Sequence, residues 1–361
     1  MKEGKQIFKA LINVLIGLVC LGLYILAAVN AYGLFKGQLL LYIVLLALGL
    51  VAGLFVHSLL HELGHLIAGF LAGLTLSKFC VLIFLFEVKS GKLKFRFTKP
   101  TEFGYTQMLP KTKEGYGEKL AVSAVGGLVF SVMGALASMA ICINCTDNLY
   151  LFTLLGAGYP LALYIFLVNG LPFFTGSDGA LIFSVLLDQQ NSSILKNYFK
   201  AVASVELGKE PCDLERILFD GLDAKPHSQT LQYLKYLAYL PNDFERAYGE
   251  ILELSTLDIV DDNLYFNAKK ELFFCRVILG DSAYVKENAD FIIGDIGLTE
   301  DLCNYRVHAA YRIYIKDYEF ASVILKSGLY ALGKERQNGL VKSEIKHLTE
   351  LKNQLNKTQS L

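Results

Sequence analysis

The chain lacks any excess of charge: 34 Lys and Arg stand against 34 Asp and Glu in 361 residues, and no basic patch interleaved with aromatics lies on a polar stretch. No nucleic acid partner is therefore expected, because such binding depends on neutralising phosphates. Cysteine is sparse and scattered, seven in all, with one CxxC at Cys142 and Cys145. That pair could form a disulfide or half a metal site, but with no second pair in the chain the cysteines are read as small apolar fillers. Histidine is scarcer still, at six residues, so any regular spacing among histidines carries information.

What the chain has in quantity is apolar sequence, and it is unevenly placed. Residues 1–190 hold 13 Lys and Arg and 9 Asp and Glu, whereas residues 191–361 hold 21 and 25. The first half therefore reads as a lipid-embedded domain, 1–190, and the second as a water-soluble one, 191–361. Four apolar stretches, at roughly 7–29, 38–70, 119–143 and 149–171, are long enough for a hydrocarbon core that takes about 20 helical residues. A fifth, 179–187, is too short to span and is expected to lie against the bundle or at its cytosolic rim. Ala27, Ala28 and Ala31 near the end of the first stretch resemble a signal cleavage region, but its apolar run exceeds a signal core and an uncleaved anchor is preferred. Lys2, Lys5 and Lys9 put the amino terminus in the cytosol, and nine Lys and Arg from Lys78 to Lys119 put that connection there too. The expectation is a multi-pass cell-membrane protein with both termini cytosolic.

The motif that carries chemistry is His61-Glu62-Leu63-Gly64-His65. Histidines four apart share one face of a helix, so both imidazoles reach one zinc ion while Glu62 stands over its water. Chance alone would produce this pattern on the order of once in 200 chains of this composition. It is embedded in apolar sequence, where a charged side chain costs about 2.5 kcal/mol or more, and a metal ion gives all three residues one reason to be there. His57 lies on nearly the same face as a competing ligand but is left outside the ligand set. A third protein ligand is needed, and Asp178 is the best candidate, on a stretch broken by Pro172, Gly176 and Gly179. Glu87, Glu102 and Asp147 read instead as solvated surface charges.

These elements together resemble the site-2 protease family of intramembrane zinc metalloproteases, which pairs an HExxH in one membrane helix with Asn-x-x-Pro and Asp-Gly in a later one. The resemblance covers roughly residues 38–188. It implies that His61, His65 and Asp178 ligate Zn2+, that Glu62 is the catalytic acid/base, and that Asn169 helps hold the substrate backbone. It also implies a site inside the membrane but nearer the cytosolic face. Where the family commonly has Pro-Leu before Asp-Gly, this chain has Gly176-Ser177. Short outer loops leave no room for an extracytosolic PDZ-type insertion, so the compact branch with an added cytosolic domain fits best.

The remaining elements are read around that site. Gly126, Gly127, Ser131, Gly134 and Ala135 give the third stretch a small-residue surface for close helix approach. Phe79–Phe86 and Lys92–Phe97 around Ser90-Gly91 predict a short hairpin at the rim, whose edge either receives an unwound substrate strand or merely closes the bundle. In the second half Asp243, Asp281 and Asp317 recur at intervals of 38 and 36 residues between helical runs, close to the period of about 34 of tetratricopeptide-like hairpins. His227, His308 and His347 there lack metal-ligand spacing.

The fold class expected is thus an all-α membrane protein: a bundle of about four spans plus a short hairpin, with a cytosolic α-helical, tetratricopeptide-like C-terminal domain that could hold a protein partner. The function expected is hydrolysis of a peptide bond in or near the membrane segment of a membrane-anchored protein or peptide precursor. A catalytically inactive scaffold recruiting partners is the competing reading, and a transporter lacks the paired broken segments of inverted repeats.

Overall fold

The computed structural model describes residues 2–32, 36–89, 92–99, 104–174, 176–186, 192–222, 226–259, 261–297 and 301–359. Its chain contacts separate two compact units, one of residues 1–111 and 115–191, the other of 112–114 and 192–361.

Four helices of the first unit are long and apolar enough to cross a membrane: Phe8–Val29 within helix α1 (Lys2–Tyr32), α2 (Leu39–Leu71), α3 (Tyr116–Asn144), and a composite Leu149–Gly170. The composite begins as α4 (Leu149–Leu151), passes through a π-helical turn at Phe152–Gly156 and continues as α5 (Tyr159–Gly170). Thr153 and its neighbours are thereby brought against α2 so tightly that a Cβ on Gly49 would collide with the Thr153 carbonyl. A short α6 (Asp178–Leu186) completes the helical set. The α2–α3 contact follows from small residues on both sides, because a Cβ on Gly64 would run into the Gly126 carbonyl and one on Gly126 into Ala68. Large apolar side chains stand exposed on these helices, among them Leu11, Leu18, Leu40, Val51 and Leu136.

The all-α expectation is corrected by a four-stranded antiparallel sheet between α2 and α3. Its strands are β1 (Thr75–Val81), β2 (Phe84–Lys89), β3 (Lys92–Phe97) and β4 (Gly104–Leu109), in the order β3-β2-β1-β4. The first run predicted as one strand is two, reversing at Leu82-Ile83 with Phe79 opposite Phe86. Strand β4 escaped notice because Gly-Tyr-Thr-Gln-Met-Leu has no clean alternation, and its pairing with β1 spans a long connection. Glu87 is also corrected: it is buried, with Arg96 at 3.2 Å and Lys89 at 3.4 Å, rather than solvated. Asp147 is exposed as expected, while Ser90, Gly91 and Glu102 lie outside the described residues. Cys142 and Cys145 are free thiols.

Among the described residues the regular elements of the second unit are helices: α7 (Ser192–Glu206), α8 (Pro226–Tyr239), α9 (Phe244–Thr256), α10 (Asp262–Ile278), α11 (Ser282–Ile296), α12 (Asn304–Tyr314), α13 (Tyr318–Gly333) and α14 (Gly339–Gln359). The recurring aspartates are helix N-caps. Asp243, Asp281 and Asp317 accept hydrogen bonds from the backbone N–H groups of Arg246, Tyr284 and Phe320 at 3.2, 3.1 and 3.3 Å. In the last two turns an arginine five residues earlier pairs with the same aspartate, Arg276 with Asp281 at 2.8 Å and Arg312 with Asp317 at 3.2 Å. Each of these guanidiniums also lies over a ring three residues past the cap, Tyr284 or Phe320. Tyr236, Ile251, Leu254, Phe273 and Val307 form the main core, and Leu325, Leu348 and Leu355 a second one.

Candidate metal centre

Helix α2 presents His61 and His65 one turn apart, and α6 opens with Asp178, so three ligand atoms from two distant segments meet. Asp178 Oδ2 lies 3.3 Å from His61 Nε2 and 3.3 Å from His65 Nε2, and the two Nε2 atoms are 3.2 Å apart. A tetrahedral zinc with bonds of 2.0–2.1 Å holds its ligand atoms about 3.3–3.4 Å apart, so this triangle has the edge length of a zinc coordination face.

The protonation pattern is dictated from behind. His61 Nδ1 is 3.1 Å from the Gly127 carbonyl and 2.8 Å from Ser131 Oγ. A carbonyl only accepts, so Nδ1 carries the proton and Nε2 turns a lone pair toward the triangle. Asp178 Oδ2 is buried with no hydrogen bond reaching it. Electron-rich atoms that would otherwise repel therefore converge, and a cation is what this donor set fits. His65 is held from the other side, since Ser123 Oγ donates to its carbonyl at 2.8 Å and a Cβ on Gly127 would sit 2.5 Å from its Nε2.

Asp178 is placed by a local device that the sequence reading did not recognise. Ser177, where the resembled family commonly has Leu, caps α6: its Oγ donates to the Leu171 carbonyl at 2.9 Å and accepts from the Ala180 N–H at 3.2 Å. Gly176 takes φ +83°, which a glycine adopts without strain. Gly179 is required by space, because a Cβ there would collide with the Gly170 carbonyl at the end of α5.

Glu62 is buried beside the triangle but is not one of its corners. Its Oε2 accepts from Thr106 Oγ1 at 2.6 Å, and the backbone of Gly104 comes so close that a Cβ there would stand 2.8 Å from Glu62 Oε1. Both partners come from β4, the strand missed in the sequence. No signal along the chain joins Thr106 to Glu62, 44 residues away.

A cavity of about 420 Å³ opens onto His61 and Glu62. It is lined as well by Asn13, Tyr164, Asn169 and Ser177. Asn169 thus reaches the cavity, but its amide N–H2 donates to the Ile165 carbonyl of its own helix at 3.0 Å. Tyr164 donates to Asn13 Oδ1 at 3.1 Å, which brings α1 to the cavity wall. His57 stays apart from the triangle: it is buried against Gly134 and Gly158, with Nε2 3.4 Å from Ser138 Oγ.

No protein-family model, no curated protein and no solved structure matches this chain.

Proposed function

We propose that this chain is an intramembrane zinc metalloprotease that hydrolyses a peptide bond in or near the membrane segment of a membrane-anchored protein or peptide precursor. The observation that carries the reading is the 3.2–3.3 Å triangle of His61, His65 and Asp178 with Glu62 buried beside it. Charge balance supports it, since a divalent cation offsets the two carboxylates, Asp178 and Glu62, that would otherwise face each other in apolar surroundings.

When bound, zinc supplies Lewis acidity, acidifying a water molecule and polarising a carbonyl. His61, His65 and Asp178 are the residues that hold it. Glu62 takes the proton of the attacking water and passes it to the leaving amine nitrogen, the role its place next to the first histidine allows. Thr106 keeps the Glu62 carboxylate on the cavity side by its hydrogen bond. The cavity receives an extended peptide segment, and Asn169, which lines the same cavity, is the polar group for its backbone. A membrane helix must unwind before its carbonyls can enter, because its backbone is otherwise satisfied internally.

The four apolar helices support insertion in a cell membrane, and the Lys-rich 77–119 connection supports cytosolic placement of the sheet, of both termini and of the second unit. That unit reads as a tetratricopeptide-like array, on the strength of its aspartate-capped turns at 38- and 36-residue intervals.

The test is Glu62→Gln. Zinc measured by elemental analysis should stay near one per chain while cleavage of a co-expressed membrane-anchored substrate, trapped and identified on the variant, is lost. Cleavage at the native rate would remove Glu62 from the mechanism, and a native chain that retains no zinc would remove the reading altogether.

A further inference from the structure

A hydroxyl enclosed in apolar surroundings is ordinarily paired, because burying it unpaired is costly. The first unit follows this rule closely. Ser123 Oγ donates to the His65 carbonyl at 2.8 Å, Ser131 Oγ lies 2.8 Å from His61 Nδ1, and Ser138 Oγ lies 3.4 Å from His57 Nε2. Ser177 Oγ donates to the Leu171 carbonyl at 2.9 Å. Thr153 Oγ1 turns back to the Leu149 carbonyl four residues earlier, at 2.6 Å, the bond that a hydroxyl inside a helix can always seek. Ser58 departs from the rule. It is 2% exposed within α2, and its Oγ has no hydrogen-bond partner among the described residues.

Ser58 also lines the cavity of about 420 Å³ that opens onto His61 and Glu62. It precedes His61 by three residues and Glu62 by four, so the three share one side of α2, with Ser58 about 5 Å along the helix axis from the other two. The remaining polar groups of the cavity are partly committed. Asn169 donates its amide N–H2 to the Ile165 carbonyl, which leaves its Oδ1 to accept, and Asn13 Oδ1 accepts from Tyr164. A peptide strand presents carbonyls as well as N–H groups, and an acceptor such as Asn169 Oδ1 meets only the N–H. Of the side-chain donors left in the cavity, the Asn13 amide and the Ser58 hydroxyl, only Ser58 stands on the helix of His61 and Glu62.

We propose that Ser58 is a substrate-binding residue whose hydroxyl donates to a backbone carbonyl of the peptide held in the cavity. An offset of about 5 Å, against about 3.3 Å per residue of extended chain, puts that carbonyl one or two residues from the scissile bond. The inference rests on the proteolytic reading, which supplies the peptide. It also meets the requirement of unwinding, since a carbonyl released from a membrane helix needs a new donor. The peptide-free chain carries an unmet hydroxyl, and the peptide satisfies it.

The test uses the full chain with Glu62→Gln, loaded with zinc in detergent micelles. The probe is fluorescein-labelled Lys-Lys-Ala-Leu-Gly-Ala-Leu-Gly-Ala-Leu-Lys-Lys-amide, followed by anisotropy. Adding Ser58→Ala should weaken binding by about three- to tenfold, the scale of one neutral hydrogen bond, with zinc per chain unchanged. Without peptide, Ser58→Ala should leave the melting temperature unchanged or raise it, because an unsatisfied hydroxyl is removed, whereas a hydroxyl that only held the fold would lower it. In a series of peptides with one amide at a time replaced by an E-alkene, one member should show no further loss with Ser58→Ala. Unaltered binding by Ser58→Ala overturns the proposal, as does a lowered melting temperature, the same Ser58→Ala loss for every alkene peptide, or no saturable binding of the parent peptide. Failure of the proteolytic reading shows elsewhere, as a native chain without zinc or as native-rate cleavage by Glu62→Gln.

Discussion

At the scale of single residues, the candidate centre depends on which atoms are already committed elsewhere. His61 has its Nδ1 occupied by Gly127 and Ser131, and Glu62 has its Oε2 occupied by Thr106; under the proposed reading His61 Nε2 is the ligand atom and Glu62 the base. Asp178 has nothing but the imidazoles before its Oδ2. Asp178→Ala should therefore lose the anionic corner of the triangle, and zinc per chain should fall well below one together with all cleavage. His57→Asn, four residues from His61 on the same helix, should keep its zinc, because His57 packs against Gly134, Gly158 and Ser138 instead. Elemental analysis of the two purified variants side by side separates these outcomes. Full zinc in the first, or its loss in the second, would exchange the roles assigned here.

At the scale of elements, glycine lets α2 and α3 approach until backbone meets backbone, and that approach is what carries Ser131 and the Gly127 carbonyl to His61. Gly127→Ala alters no ligand, yet its methyl would stand 2.5 Å from His65 Nε2. It should weaken zinc binding by roughly 10–100-fold, the scale seen when groups behind metal ligands are disturbed, and competition with a chromogenic chelator reads this directly. An unchanged affinity would mean the helices part without moving the histidines. Strand β4 acts in the same way on Glu62, supplying the Thr106 hydroxyl and a glycine thin enough to pass the carboxylate. In the second unit the repeated Asp caps, clasped by an arginine in two of the three turns, start every second helix, α9, α11 and α13, at near-equal intervals.

At the scale of the whole molecule, the charge distribution predicts an orientation. In a cysteine-free background, a cysteine placed at Lys113 should be shielded from an impermeant thiol reagent in intact cells and one at Asn148 should be labelled; the reverse pattern would invert the topology. The second unit carries a pH dependence of its own. Burial, with Arg306 and Lys346 adding to it, pushes His347 down to about 3 from an ordinary 6.5. A histidine that binds its proton more weakly when folded supports the fold fully above about 6.5, and that support drains as pH falls toward 3, amounting to about 2 kcal/mol lost by pH 5. His227 and His308 are lowered by burial as well and act with the same sign. Urea unfolding of this unit should therefore show a lower midpoint at pH 5 than at pH 7.5, and His347→Leu should reduce the difference; an equal slope in the variant would place the titration elsewhere.

The sequence by itself determined the four long apolar helices, because hydrocarbon-length runs need no partner to be recognised, and it determined the histidine pair, because four-residue spacing on a helix is local geometry. It located Asp178 through the Gly and Pro break around it. The recurring aspartates were visible as a period but not as caps, since a cap is defined by the N–H it accepts. Only the tertiary structure decided that Asp178 closes a triangle with His61 and His65, that Ser177 caps the helix Asp178 opens, and that a fourth strand carries Thr106 to Glu62. The first and last of these relations join residues 44 to 117 positions apart, and no periodicity along a chain encodes which backbone a glycine will let approach.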